Sequence, residues 1–201
     1  MMRFTAIAAG FVIGAAALTT IQPASSQSEG GWVTLVDSSK MGDWDKVSDA
    51  NWTMADDGLT ANKLMSGKDP AYLVSKVPYK DFEIRAEFYT DADANSGIFI
   101  RCDNPKVIDG KTCYEVNIFD KRPDPSYGTG AIVDVAKVNP MPKAADKWNT
   151  YEITAKGPKL TVILNGEKTV DVEDTKHAAG PIALQYGSGV VKFRKVQIKP
   201  L

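Results

Sequence analysis

The sharpest pattern in the chain is a strict alternation at residues 82–89. Phe82, Ile84, Ala86 and Phe88 are apolar, and Glu83, Arg85 and Glu87 between them are charged. Successive side chains of a strand point to opposite faces, so this period of two predicts a strand with one core face and one solvated face. Similar segments at 148–155 and 159–164 predict a second hairpin region, and Asn165 with Gly166 carries the chain into a further strand at 168–172 through a type I′ turn. Asp56, Asp57 and Gly58 mark a hairpin turn between 51–54 and 58–61. Shorter strands are expected at 32–36, 72–75, 182–186 and 190–198, with a loop carrying Trp44 after the first. Strands recur every 8–12 residues or so with turn signals between them, and no segment holds a helical period. That spacing predicts one all-β domain, a sandwich or barrel.

Residues 95–120 form the segment around which the rest is arranged. Ile98 and Ile100 alternate with Phe99 and Arg101; Val116 and Ile118 alternate with Glu115, Asn117 and Phe119. One face of this hairpin is apolar and the other carries a charge pair and an amide. Cys102 and Cys113 stand at the inner strand ends, where a disulfide would close the loop and stabilise the fold by about 3 kcal/mol on the chain-entropy model. The following stretch, 121–147, is irregular and rich in proline, and a loop of that length in a compact domain is usually functional.

Composition narrows the partners. The net charge is −1 without a basic stripe, which excludes a nucleic-acid surface as the main reading. The first 26 residues read as a secretory leader: a basic start at Arg3, an apolar run at 4–18, and small residues Ala24 and Ser26 before the cleavage point. The run is too short to span a bilayer, and neither a twin arginine nor a lipobox cysteine accompanies it. Loss of Arg3 with the leader takes the net charge from −1 to −2. The expectation is a periplasmic or secreted domain over 27–201, with no membrane association after cleavage and with the two cysteines oxidised.

Several short motifs appear in order: Tyr79-Lys80-Asp81-Phe82-Glu83-Ile84, Asn95-Ser96-Gly97-Ile98-Phe99-Ile100-Arg101, Tyr114-Glu115-Val116-Asn117-Ile118-Phe119-Asp120, Thr129-Gly130-Ala131-Ile132, Trp148-Asn149-Thr150-Tyr151-Glu152-Ile153, Leu164-Asn165-Gly166, Gly180-Pro181-Ile182-Ala183-Leu184-Gln185 and Phe193-Arg194. The series resembles the 3-keto-disaccharide hydrolase family, formerly a domain of unknown function. The resemblance implies a concanavalin A-like jelly-roll sandwich of two antiparallel sheets, and an exported carbohydrate-active protein that cleaves 3-keto-glycosides. The alternatives are a non-catalytic carbohydrate-binding module and a periplasmic interaction domain. At the first strand the family often has a Leu-Phe-Asn-Gly run where this chain has Leu35-Val36-Asp37-Ser38.

A 3-keto sugar loses its glycosidic bond when a base removes the acidified C2 proton and the C1 substituent leaves; water then adds back. Such chemistry asks for a base, a group to stabilise the enolate, and ligands for hydroxyls. Glu115 is the candidate base, with an ion pair to Arg101 on the neighbouring strand as its structural alternative. Arg101 is the candidate enolate stabiliser. His177, the single histidine, is either a tethered acid or base or an exposed loop residue. Asn95, Asn117, Asp120, Gln185, Arg194 and Tyr127 are the candidate substrate ligands, with loop capping as the alternative for Asp120. Trp44, Trp52 and Tyr114 are further residues able to stack on sugars, or else core. No closed zinc site can be assembled from one histidine, whereas Asp91 and Asp93 offer oxygens for a divalent cation such as calcium, or form an ordinary turn.

Overall fold

The computed structural model describes residues 29–201, so the leader at 1–26 lies outside the described residues. Thirteen strands build two antiparallel sheets, and the helical segments among the described residues are three single 3₁₀ turns. In chain order the strands are β1 (Val33–Thr34), β2 (Trp44–Val47), β3 (Thr53–Ala55), β4 (Gly58–Ala61), β5 (Ala71–Ser75), β6 (Phe82–Thr90), β7 (Ser96–Ile100), β8 (Tyr114–Ile118), β9 (Lys147–Lys156), β10 (Lys159–Leu164), β11 (Glu167–Glu173), β12 (Ala183–Tyr186) and β13 (Val191–Pro200). The eight-stranded sheet runs β11-β10-β9-β6-β13-β4-β3 with β1 also on β13; the five-stranded sheet runs β2-β5-β12-β7-β8. This is the expected jelly-roll-like sandwich.

Alternation explains the layers. Phe82, Ile84, Ala86 and Phe88 of β6 meet Ile98, Ile100, Val116, Ile118 and Leu184 of the facing sheet in one buried cluster. Asn165 and Gly166 both take positive φ (53° and 83°), as a type I′ turn between β10 and β11 requires. Two expectations shift. The first strand shrinks to Val33–Thr34, and residues 44–47, read as loop, form the edge strand β2, where Trp44 is buried and its indole N–H donates to the Leu35 carbonyl.

The β7–β8 hairpin pairs Ser96 with Ile118, Gly97 with Asn117 and Phe99 with Glu115, and the Cys102–Cys113 disulfide closes its loop. Alternation fails one residue past β7. Arg101 adopts φ 52°, in the left-handed region, which swings its side chain out of the strand's register.

Candidate active site

The outward face of the five-stranded sheet carries the candidate carboxylate and two of the candidate amides. Across it, Glu115 (β8), Phe99 (β7), Ala183 (β12) and Val74 (β5) form one row; Asn117, Gly97, Gln185 and Tyr72 form the next. Phe99, Ala183, Val74 and Tyr72 gather with Cys102, Cys113 and Ile108 into a small second apolar cluster, which seats the disulfide loop against this face. Glu115 therefore rises beside apolar neighbours and not from open solvent.

Glu115 makes no ion pair and no side-chain hydrogen bond among the described residues. Burial pushes its carboxyl up to about 7 from an ordinary 4.5; attraction to Arg122 opposes the rise, and repulsion from Asp134 adds to it. Arg122 and Asp134 come from the irregular segment after β8, and neither was singled out by pattern. Their neighbourhood to Glu115 arises because that segment folds back along β8: Gly130 N–H donates to the Asn117 carbonyl, Asn117 N–H to that of Ala131, and Val133 N–H to that of Glu115. The tight turn that follows holds Asp134 at φ 59°. A sequence signal was present in the apolar run Ala131, Ile132 and Val133, which behaves as an extra ragged edge strand.

Two amides flank Gly97. Asn117 is fully buried, donates Nδ2–H to the Tyr127 carbonyl (2.7 Å), and leaves Oδ1 without a donor among the described residues. Gln185, 5% exposed, donates Nε2–H to Tyr72 Oη (3.2 Å) and leaves Oε1 equally unpartnered. The amide orientations follow from these donor contacts. Asp120 and Tyr151 hold the surrounding loops. The Asp120 carboxylate accepts from Thr129 Oγ1 (2.6 Å) and from the N–H groups of Ala144 and Ala145 (2.9 and 3.0 Å). Tyr151 Oη donates to the Asn117 carbonyl and accepts from Gly130 N–H.

A family model for the 3-keto-alpha-glucoside-1,2-lyase-like domain matches residues 31–199. The chain belongs to that family. No functionally curated protein sequence matches it. Among solved structures, a candidate glycosyl hydrolase from Parabacteroides distasonis is 23% identical, with a TM-score of 0.67 over 85% of this chain and 99% of that one. The carbohydrate-binding module CBM66 of Bacillus subtilis is 16% identical, with a TM-score of 0.60 over 84% and 94% of the two chains. The exoplasmic/lumenal domain of VIP36, bound to calcium and Man3GlcNAc, is 11% identical at a TM-score of 0.53, over 80% and 84%. These likenesses show the fold.

In this lyase-like domain the other sequence candidates separate from Glu115. Arg101, 2% exposed, points into the end of the sandwich, donating Nε–H to the Lys80 carbonyl, Nη1–H to that of Gly157 and Nη2–H to Asp81 (3.1 Å). Its ion-pair partner is Asp81 and not Glu115, so it ties the strand ends together. His177 is not an exposed loop residue. It is 1% exposed, with Nδ1 2.6 Å from Asp103 and its ring edge-on to Tyr114, beside a cavity of about 130 Å³ that Arg101 also lines. Arg194 is a correction of side as well as role: it belongs to β13 in the other sheet, pairs with Glu87 (2.5 Å) and lies over the Trp148 ring. A cleft of about 650 Å³ beside Arg194 has its two cations, Arg194 and Lys195, already held by Glu87.

The remaining candidates are mostly structural. Asp120 serves its loops, Asn95 contributes backbone bonds to Gly187 and Ser188, and Tyr127 lends its carbonyl to Asn117 while Lys137 stands over its ring. Trp44 and Tyr114 are core, and Trp52 packs against that core. Asp91 accepts from the Asp93 N–H in an ordinary turn, and Asp93 pairs with Lys121 (2.6 Å). No group of three or more His, Cys, Asp or Glu side chains that could hold a metal ion occurs among the described residues.

Proposed function

We propose that this domain cleaves 3-keto-glycosides by elimination, with Glu115 as the base. The supporting observation is a carboxyl raised to about 7 by burial beside an apolar cluster, with no ion pair among the described residues. The Glu115 carboxylate takes the C2 proton, and the C–H electron pair becomes the C2–C3 double bond of an enolate. The enolate oxygen re-forms its carbonyl and the C1–O bond breaks. The departing alkoxide takes its proton from solvent, leaving a C1–C2 enone. Water then adds at C1 while Glu115, its proton exchanged with solvent once the leaving group has departed, protonates C2, which gives net hydrolysis. Arg122 is the nearby cation whose field favours both the ionised base and the enolate. The leader at 1–26 supports export as part of the same reading.

The deciding experiment incubates the protein with 4-nitrophenyl 3-keto-glucoside in D₂O. Nitrophenol release with deuterium at C2 of the product, lost in Glu115→Gln, supports the assignment; release without deuterium incorporation overturns it. A second reading, a sugar-binding module without turnover, draws on the likeness in fold to the carbohydrate-binding module CBM66. Saturable glycan binding without turnover of any 3-keto glycoside selects it. N-terminal sequencing of the exported protein tests cleavage after Ser26.

A further inference from the structure

We infer that the disulfide loop, residues 103–112, is a roof over Glu115, and that Ile108 is the positioning residue that seats this roof and so sets the strength of the base beneath it. The catalytic part of the inference rests on the elimination reading above; the seating does not. Cys102 and Cys113 tie the two ends of the loop together. Between them the chain folds on itself. Asp103 N–H donates to the Thr112 carbonyl (2.8 Å), and Thr112 Oγ1 donates to that of Val107 (2.7 Å). The Asp109 carboxylate accepts from the N–H groups of Lys111 and Thr112 (2.8 and 2.9 Å). No backbone hydrogen bond joins residues 103–112 to a strand among the described residues. Side chains hold the loop down instead. Ile108, 6% exposed, is the one buried residue of the segment, and it joins Phe99, Val74, Tyr72 and Ala183 in the apolar cluster on the outward face. At the margin Asp103 meets Nδ1 of His177 (2.6 Å), and Lys176 Nζ donates to the Gly110 carbonyl (3.5 Å).

That seat brings the loop onto Glu115. Phe99, a member of the cluster that Ile108 joins, is the register partner of Glu115. A Cβ built at Gly110 would stand 4.0 Å from Glu115 Oε2, so the loop backbone lies against the carboxylate. Yet none of the loop's hydrogen bonds among the described residues reaches Glu115. A cover that displaces water without donating a hydrogen bond favours the neutral acid and leaves the ionised form a stronger base. The charged groups acting on this carboxyl are Arg122 and Asp134, both from the segment that runs back along β8. On the other elements around it, Asp109 is spent inside the loop and Tyr72 of β5 carries a phenol. The loop thus contributes dehydration and no opposing charge of its own, and it lies only as close as Ile108 and the disulfide hold it.

The test follows the Glu115 carboxyl by NMR titration of the protein labelled with carbon-13 glutamate, with Glu115→Gln identifying the signal. In the parent the midpoint should lie near 7. Ile108→Ser should move it by about one pH unit or more toward the ordinary 4.5, and Ile108→Leu, which refills the seat, should leave it where it was. The pH at which turnover of 4-nitrophenyl 3-keto-glucoside levels off should fall by the same amount in the Ser variant and stay in place in the Leu variant. Thermal midpoints check that both variants are folded. Where the Ser variant does not fold, Ile108→Ala takes its place, and in the unmodified protein a nuclear Overhauser contact between the Ile108 methyls and the Phe99 or Tyr72 ring checks the seat. An unmoved midpoint in a folded Ser or Ala variant, an equal fall in the Leu variant, or no such contact overturns the roof. A midpoint that moves as expected in a protein that turns over no 3-keto glycoside leaves the roof standing and overturns the elimination reading alone.

Discussion

Glu115 should couple stability to pH in one direction and activity in the other. Its folded pKa is raised to about 7 from 4.5, with burial as the main cause. Below 4.5 the carboxyl is protonated whether the chain is folded or unfolded. Between 4.5 and 7 the unfolded chain gives up the proton first, so stability falls as pH rises and the loss is complete above about 7. The displacement corresponds to roughly 3 kcal/mol as an upper figure, since each pKa unit is about 1.4 kcal/mol. Glu115→Gln removes the effect. Urea denaturation of both proteins at pH 4, 6 and 8 cancels the other titrating groups in the difference. The two should be nearly equal at pH 4, and at pH 8 the variant should be more stable by up to about 3 kcal/mol. Turnover, in contrast, should rise with pH and level off above about 7, because only the carboxylate accepts a proton. A stability difference that stays constant across pH would refute the burial assignment, and with it the reason for choosing this residue.

Three further substitutions test the frame around it. Arg101→Met strands Asp81 and leaves the Lys80 and Gly157 carbonyls without their donor, so it should cost roughly 3 kcal/mol in urea titration, with Asp81→Asn recovering part of the loss. Tyr151→Phe removes the hydroxyl shared by Gly130 N–H and the Asn117 carbonyl and should cost about 1–3 kcal/mol; faster amide exchange at 128–132 would locate the damage. Gly97→Ala places a methyl 3.3 Å from Phe99 Cε2 and from the Val116 carbonyl oxygen, so the packing must give way and stability should fall by about 1–3 kcal/mol in urea titration.

Pattern carried the fold a long way because alternation and turn chemistry are local. β6, β9, β10 and β11 could be read directly, as could the turn at Asn165 and Gly166, and the two cysteines pair as export chemistry suggested. Glu115, Asn117 and Gln185 stand on the outward face for the same reason: each alternates with a core residue on its own strand. What escaped depends on tertiary placement. Arg101 obeys the period in sequence yet leaves the strand through a left-handed backbone, which no count of apolar positions reveals. Arg194 also follows a core residue, Phe193, but periodicity does not say to which sheet a strand belongs. His177 lies in a polar run that reads as surface, and only the packing of Tyr114 and Asp103 buries it. Arg122 and Asp134 reach Glu115 through a loop that doubles back, a long-range event with no local signature.

The pairing of β1 with β13 sets Val33 opposite Ile198, so the first and last strands of the described residues run side by side on the eight-stranded sheet. Glu115 and its amides belong to the other sheet. A circular permutant that joins residue 200 to residue 32 through a short linker, and opens at the exposed turn of Asn165 and Gly166, would therefore keep every sheet neighbour except the direct β10–β11 connection. The five-stranded sheet could then be carried on a rearranged backbone, with both new ends on the larger sheet and the Glu115 face free for surface display.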